Sequence, residues 1–272
     1  MRPVAACNLC GGTRWTTRED APPFRVVECR CGLVFVTPQP DREALAAAYD
    51  RGYYEAWQGQ ARQRQRLWAR RFRTVEALVG TPGRLLDVGC GTGEFLRLAR
   101  THGWEVRGTE FSPYATGVAQ ADGLAVVAGE VWEAPFPAES FDLVTCWHAL
   151  EHASDPKRLV RAISRLLRRG GFLLLATPNL EDRVLSAVYP LIRRRPLRLF
   201  DPDDREIHLF HFSARSLRAM VESAGLTVRR VGFDRGAAIV WPKSLLNGMA
   251  HLWYGISGRN WGMGLELVAS KS

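Results

Sequence analysis

The run Leu85-Leu86-Asp87-Val88-Gly89-Cys90-Gly91-Thr92-Gly93-Glu94-Phe95-Leu96 constrains this chain more than any other feature. An apolar stretch leads into alternating glycines and then into a helical pattern, which reads as strand, tight turn and helix. Glycine is needed where the backbone turns sharply and where a ligand must approach without meeting a Cβ. The helix that follows offers unpaired N–H groups and a positive dipole end, suited to a carboxylate or phosphate. Gly89 and Gly91 begin like a dinucleotide fingerprint, but its third glycine would fall on Glu94, whose charge repels pyrophosphate.

Around this run, short apolar segments alternate with helical ones, which argues for βαβ units and a parallel sheet. Expected strands are 84–88, 105–109, 125–128, 141–146 and 172–176, then 226–233 and 265–269. Expected helices cover 92–101, 156–167 (closed by Gly170-Gly171) and 213–224, stopped by Gly225. Three regions follow: a cysteine-rich module over 1–40, a helical connector over 41–80, and an α/β domain over 81–272. That domain carries insertions at about 180–207 and 234–263. The second insertion contains Trp241, Trp253, Tyr254 and Trp261 and is too long for a simple hairpin loop.

Glu110 ends the strand after the glycine run, where a carboxylate can accept from both ribose hydroxyls of a nucleoside. Further on stand Gly129-Glu130-Val131-Trp132, Ser140-Phe141-Asp142, Leu150-Glu151-His152 and Leu167 to Leu175. Together with the glycine run, these motifs resemble the class I S-adenosylmethionine-dependent methyltransferases over roughly 84–233. The resemblance implies a Rossmann-like α/β fold, a seven-stranded sheet with an antiparallel last strand. It further implies that Asp87, Gly89, Gly91 and Gly93 cradle the methionine part of S-adenosylmethionine, and that Glu110 and Phe111 flank the ribose. Glu130, beside Val131, would accept from the adenine amino group, although the family more often has aspartate there. Tyr53-Tyr54 resembles an aromatic pair that covers the cofactor, and equally suits helix packing.

Cys7-x-x-Cys10 and Cys29-x-Cys31, flanked by Gly11, Gly12 and Gly32, can bring four thiolates to one Zn²⁺. The segment is too short to bury its own core, so a metal would supply folding energy. It resembles the zinc-ribbon-like module of some sugar and small-molecule methyltransferases, except that the second pair has one intervening residue where two are usual. Four cysteine ligands leave no open position, so the zinc is expected to be structural.

Methyl transfer to oxygen or carbon needs alignment and a proton acceptor, and histidine titrates near neutrality. His208, in Glu206-x-His208-Leu209-Phe210-His211, best matches a family histidine that lies over the substrate. His148 follows the strand 141–146 and is the second candidate; His152 is expected to stabilise a turn.

No apolar run is long enough for a membrane span or a signal peptide, and close cysteine pairs suit a reducing compartment, so a cytoplasmic location is expected. The segment 184–200 joins apolar residues to Arg193, Arg194, Arg195 and Arg198 and could lie on an anionic membrane. Its placement resembles the membrane-contacting insertion of the ubiquinone-biosynthesis O-methyltransferase, which implies a hydrophobic or lipid-linked acceptor; a lid packed on its own domain is the other reading. The net charge of +9 admits nucleic acid, but with only three lysines the arginine excess fits codon bias as readily. RNA methylation is therefore the alternative function, with Arg62, Arg64, Arg66, Arg70, Arg71 and Arg73 as its surface, and a noncatalytic cofactor-binding scaffold is the third. Sugar, polyketide, quinone and lipid-linked acceptors all remain open.

Overall fold

The structure is a computed structural model that describes residues 1–55, 60–201, 204, 206–237 and 243–272; Trp241 lies outside them. Two sheets organise the chain. The N-terminal strands β1 (Trp15–Ala21), β2 (Phe24–Cys29) and β3 (Val34–Thr37) form an antiparallel ladder. Its fourth strand, β9 (Phe210–His211), comes from far along the chain. The larger sheet contains β4 (Arg84–Val88), β5 (Glu105–Glu110), β6 (Val126–Ala128), β7 (Phe141–Trp147) and β8 (Leu167–Pro178). With β10 (Leu226–Phe233) and β11 (Gly264–Lys271) it makes seven strands in the order β10-β11-β8-β7-β4-β5-β6.

The strands from β4 to β8 are parallel, while β11 runs antiparallel between β8 and β10. This is the Rossmann-like sheet with an antiparallel last strand that the sequence implies. Leu85, Leu86, Leu143, Val144, Leu173 and Leu174 are fully buried, as strands covered on both faces require. From β4 the chain winds to one side through β5 and β6, then returns to β7 on the other side. Strand order therefore reverses between β4 and β7, the place where open α/β sheets bind ligands.

Helices α1 (Arg42–Ala48), α2 (Arg51–Glu55) and α3 (Ala61–Val79) form the connector. Asp41 caps α1 by accepting from Ala44 N at 3.0 Å. On the sheet lie α4 (Glu94–Thr101), α5 (Pro113–Ala121), α6 (Pro156–Leu166) and α8 (Ala214–Glu222). The expected closure of α6 by the glycine pair does not occur. Leu167 already turns extended and starts β8, which contains both glycines. A Cβ at Gly171 would stand 2.9 Å from the Arg168 carbonyl and 3.1 Å from those of Phe141 and Asp142, so glycine is there to let strands approach.

The segment after β8 holds α7 (Arg183–Arg193), capped by Asp182, although Pro190 interrupts its helical pattern. The later insertion holds α9 (Lys243–Ser257), which packs against α7.

Candidate active site

A cavity of about 810 Å³ opens at the C-terminal ends of β4, β5 and β7. Gly89 and Gly91 form its floor with φ of +71° and +55°, and a Cβ on Gly89 would lie 2.5 Å from the Ala149 Cβ. Such left-handed backbone is costly for other residues, so this floor needs glycine on both counts. Glu110 is buried and lies against the loop: Oε2 accepts from Gly91 N at 2.8 Å, while Oε1 accepts from Ser112 N at 2.8 Å and from the Tyr54 hydroxyl at 3.3 Å. Asp87 is buried and accepts from Thr145 Oγ1 at 2.7 Å.

Phe111, Glu130 and Val131 line the same cavity, and Glu130 accepts from Ser154 Oγ at 3.2 Å. Burial pushes Asp87 and Glu130 up to about 7 and raises Glu110, whose backbone donors oppose the shift. The structure thus brings nearly all the expected cofactor residues to one cavity. Gly93 serves the helix instead: it is the left-handed cap of α4, and the side chains of Leu124 and Ala119 crowd its Cβ direction.

The connector closes this cavity from above. Tyr49, Tyr53 and Tyr54 line the cavity, and Ser112 Oγ donates to the Tyr49 carbonyl at 2.6 Å. Glu94, the residue that breaks the dinucleotide pattern, is held by Arg64 at 2.6 Å and by Trp68 Nε1 at 2.8 Å, tying α3 to α4.

His148 and His208 line the same cavity. His148 has φ of +52°, uncommon outside glycine, and places Nε2 3.0 Å from Asp234 Oδ2 and Nδ1 3.3 Å from Glu151 Oε1. Burial alone would lower its pKa, but Asp234 and then Glu151 carry it up to about 9. Burial and the neighbouring His152 bring His208 down to about 3. His152 sits in the 3-10 turn Leu150–His152, its Nδ1 2.8 Å from both the Ile207 carbonyl and Tyr49 Oη, so it does secure a turn and also faces the cavity.

Asp234 and Arg71 escaped the sequence reading. Arg71 pairs with Asp234 at 3.2 Å, with both side chains at most 5% exposed, and its guanidinium lies over the rings of Trp147 and Trp68. Nothing around Phe233-Asp234-Arg235 marks a site, and Arg71 is one of six connector arginines that read alike.

The four thiols of Cys7, Cys10, Cys29 and Cys31 come together about the N-terminal sheet, all within 4.8 Å of one another. The Sγ atoms of Cys7 and Cys31 are 3.6 Å apart and those of Cys10 and Cys29 3.5 Å, close to the ~3.8 Å edge of a zinc–thiolate tetrahedron. The donor set and spacing fit a structural Zn²⁺. Gly11 and Gly32, with φ of +73° and +87°, make the two turns that aim the sulfurs inward.

A family model described as a methyltransferase domain matches residues 60–231. The ubiquinone biosynthesis O-methyltransferase of Paraburkholderia phymatum is 38% identical over 107 residues, 36% of this chain and 46% of that protein. The Aeromonas salmonicida protein of the same name is 30% identical over 154 residues, 54% of this chain and 63% of that one. The matches thus span from about half to under two thirds of these relatives' length. Among solved structures, a possible histamine N-methyltransferase of Thermotoga maritima aligns with a TM-score of 0.58 at 20% identity, covering 84% of this chain and all of that one. A geranyl diphosphate C-methyltransferase of Streptomyces coelicolor, solved with S-adenosylhomocysteine, aligns at 0.54 and 16% identity over 76% of this chain and 80% of its own.

Proposed function

The chain belongs to the methyltransferase domain family, and from that premise we propose that it transfers the methyl group of S-adenosylmethionine to an oxygen or carbon of a small hydrophobic acceptor. One observation carries this reading: the Glu110 carboxylate and the Gly91 amide meet in a single hydrogen bond at the strand-order reversal, in a cavity that also contains Glu130. That is the arrangement a ribose, a methionine tail and an adenine require together.

The bound cofactor supplies an electrophilic methyl carbon. The chain's task is to align the nucleophile, exclude water and manage one proton. Asp87, Gly89 and Gly91 would hold the methionine part, Glu110 and Phe111 the ribose, and Glu130 and Val131 the adenine, with Tyr54 as cover. His208 and His148 stand on the acceptor side, where they would orient the nucleophile. Zinc held by Cys7, Cys10, Cys29 and Cys31 would be scaffold.

The acceptor end is walled by Leu185 of α7 and Lys243 of α9. The outer faces of these helices are apolar, with Leu191, Leu252 and Ile256 80%, 71% and 83% exposed, and the basic run 193–195 closes α7. Apolar residues beside arginines suit an anionic bilayer, and an acceptor drawn from it would be quinone-like or otherwise lipid-linked. No helix among the described residues is long and apolar enough to cross a membrane. The RNA reading loses support because Arg71 pairs with Asp234, Arg64 with Glu94, and Arg70 donates to the Arg235 carbonyl.

Calorimetric titration with S-adenosylhomocysteine tests the central reading. Wild-type protein should bind at micromolar concentrations and Gly91→Arg about a hundredfold more weakly; no binding by wild type would sink it. Co-sedimentation with anionic vesicles at low salt tests the lipid reading. Leu252→Ser with Ile256→Ser should lose most of the bound fraction, and equal binding by that variant would refute the docking face.

A further inference from the structure

In the wall of the acceptor cavity, Glu151 and His152, to which the proposed function gives no role, converge with His208. Glu151 and His152 come from the 3-10 turn Leu150–His152, and His208 from the segment entering β9. One ligand atom from each lies within 4.8 Å of the others.

Each group is oriented by a partner on its far side. Glu151 is 1% exposed; its Oε2 accepts from Thr177 Oγ1 at 3.0 Å, while Oε1 is buried with no hydrogen bond, His148 Nδ1 lying within ion-pair distance only. With His148 3.3 Å away as its ion-pair partner and no hydrogen bond, this buried carboxylate oxygen keeps a lone pair for a further cation. His152 Nδ1 lies 2.8 Å from both the Ile207 carbonyl and Tyr49 Oη; the carbonyl can only accept, which favours the tautomer with the proton on Nδ1. In that tautomer the Nε2 lone pair is free, 4.0 Å from Glu151 Oε1. A histidine whose other nitrogen donates to a carbonyl is the usual arrangement of a metal ligand. The His208 ring stands 4.8 Å from that of His152, centroid to centroid, and its Nε2 is 3.9 Å from Glu206 Oε2.

We propose that Glu151, His152 and His208 form a second metal site, distinct from the four cysteines, that takes a divalent transition ion in the wall of the acceptor cavity. Two imidazoles and a carboxylate suit Zn²⁺, Mn²⁺ or Fe²⁺ rather than Ca²⁺ or a soft ion. Three protein ligands leave a position open toward the cavity, as catalytic metal sites do and closed structural sites do not. The open position would hold an acceptor oxygen, a role that rests on the methyl-transfer reading; the metal site itself does not.

The test is Co²⁺ titration of protein whose cysteine cluster is already loaded with zinc, followed by visible absorption and equilibrium dialysis. Thiolate ligation gives an intense charge-transfer band that histidine–carboxylate ligation lacks. Wild type should take up one further equivalent without that band, and both His208→Ala and His208→Gln should bind it at least tenfold more weakly, with folding checked by circular dichroism. No further equivalent in wild type, or undiminished uptake by a folded His208 variant, overturns the site. S-adenosylhomocysteine binding on the same samples separates the two readings: cofactor without metal refutes this site alone, and metal without cofactor refutes the methyl-transfer reading alone.

Discussion

Burial lifts the Glu130 carboxyl to about 7, with the Ser154 hydroxyl only partly offsetting it, so its charge changes within the working pH range. A carboxyl raised above its unfolded value favours the folded protein when protonated and withdraws that stability as pH climbs through 7. An adenine amino group reverses the preference, because it donates to the ionised form. S-adenosylhomocysteine should therefore bind up to about tenfold more weakly at pH 6 than at pH 8, and Glu130→Gln should flatten the difference. Calorimetry at both pH values decides it; an unchanged slope in the variant would remove Glu130 from the adenine site.

At the scale of elements, the joints around the cavity are polar contacts between segments remote in sequence. Arg71 of α3 meets Asp234 at the end of β10, and both are almost wholly buried. Removing one member of a buried pair strands the other charge, which costs about 3–5 kcal/mol. Arg71→Met should lose about 3 kcal/mol, at the low end because His148 still faces Asp234. Replacing both, as Arg71→Met with Asp234→Leu, should recover most of the loss, since a well-packed apolar pair of similar volume avoids the desolvation penalty. Urea unfolding midpoints measure both; equal stability of Arg71→Met and wild type would show that the pair contributes nothing.

For the whole molecule, the β3–β9 pairing joins the cysteine module to the part of the cavity wall that carries Glu151 and His152. Val36 N donates to the Leu209 carbonyl, and Leu209 N to that of Glu151, each at 2.9 Å. Loss of zinc should consequently be felt beyond residue 40. Cys29→Ser is expected to purify with well under one zinc per chain and to show faster amide exchange both at 34–36 and at 209–211. S-adenosylhomocysteine binding should persist, because its cradle belongs to the other sheet. Fast exchange confined to residues before 40 would show that the module folds independently of the wall.

The central sheet was legible because its signals are local. Alternating apolar runs, glycines at forced φ and capping residues act over a few positions, so β4, β5, β7 and the loop from Gly89 to Gly93 stand almost where the pattern puts them. The same holds for the cysteines, whose turns need only adjacent glycines. Folding had to decide what depends on distant partners. Pro190 hid α7 from a periodicity argument, and Gly170-Gly171 read as a helix stop when their reason is the close approach of Phe141 and Asp142. Asp234 and Arg71 have no sequence signature, and the Leu150-Glu151-His152 motif does not show what Glu151 faces, since a charge becomes a site only when burial removes water and leaves one partner in reach. By itself the sequence determined the sheet, the glycine cradle and the thiol cluster; only the tertiary structure decided which carboxylates, arginines and histidines face each other, because those contacts span up to 163 residues of chain, as between Arg71 and Asp234.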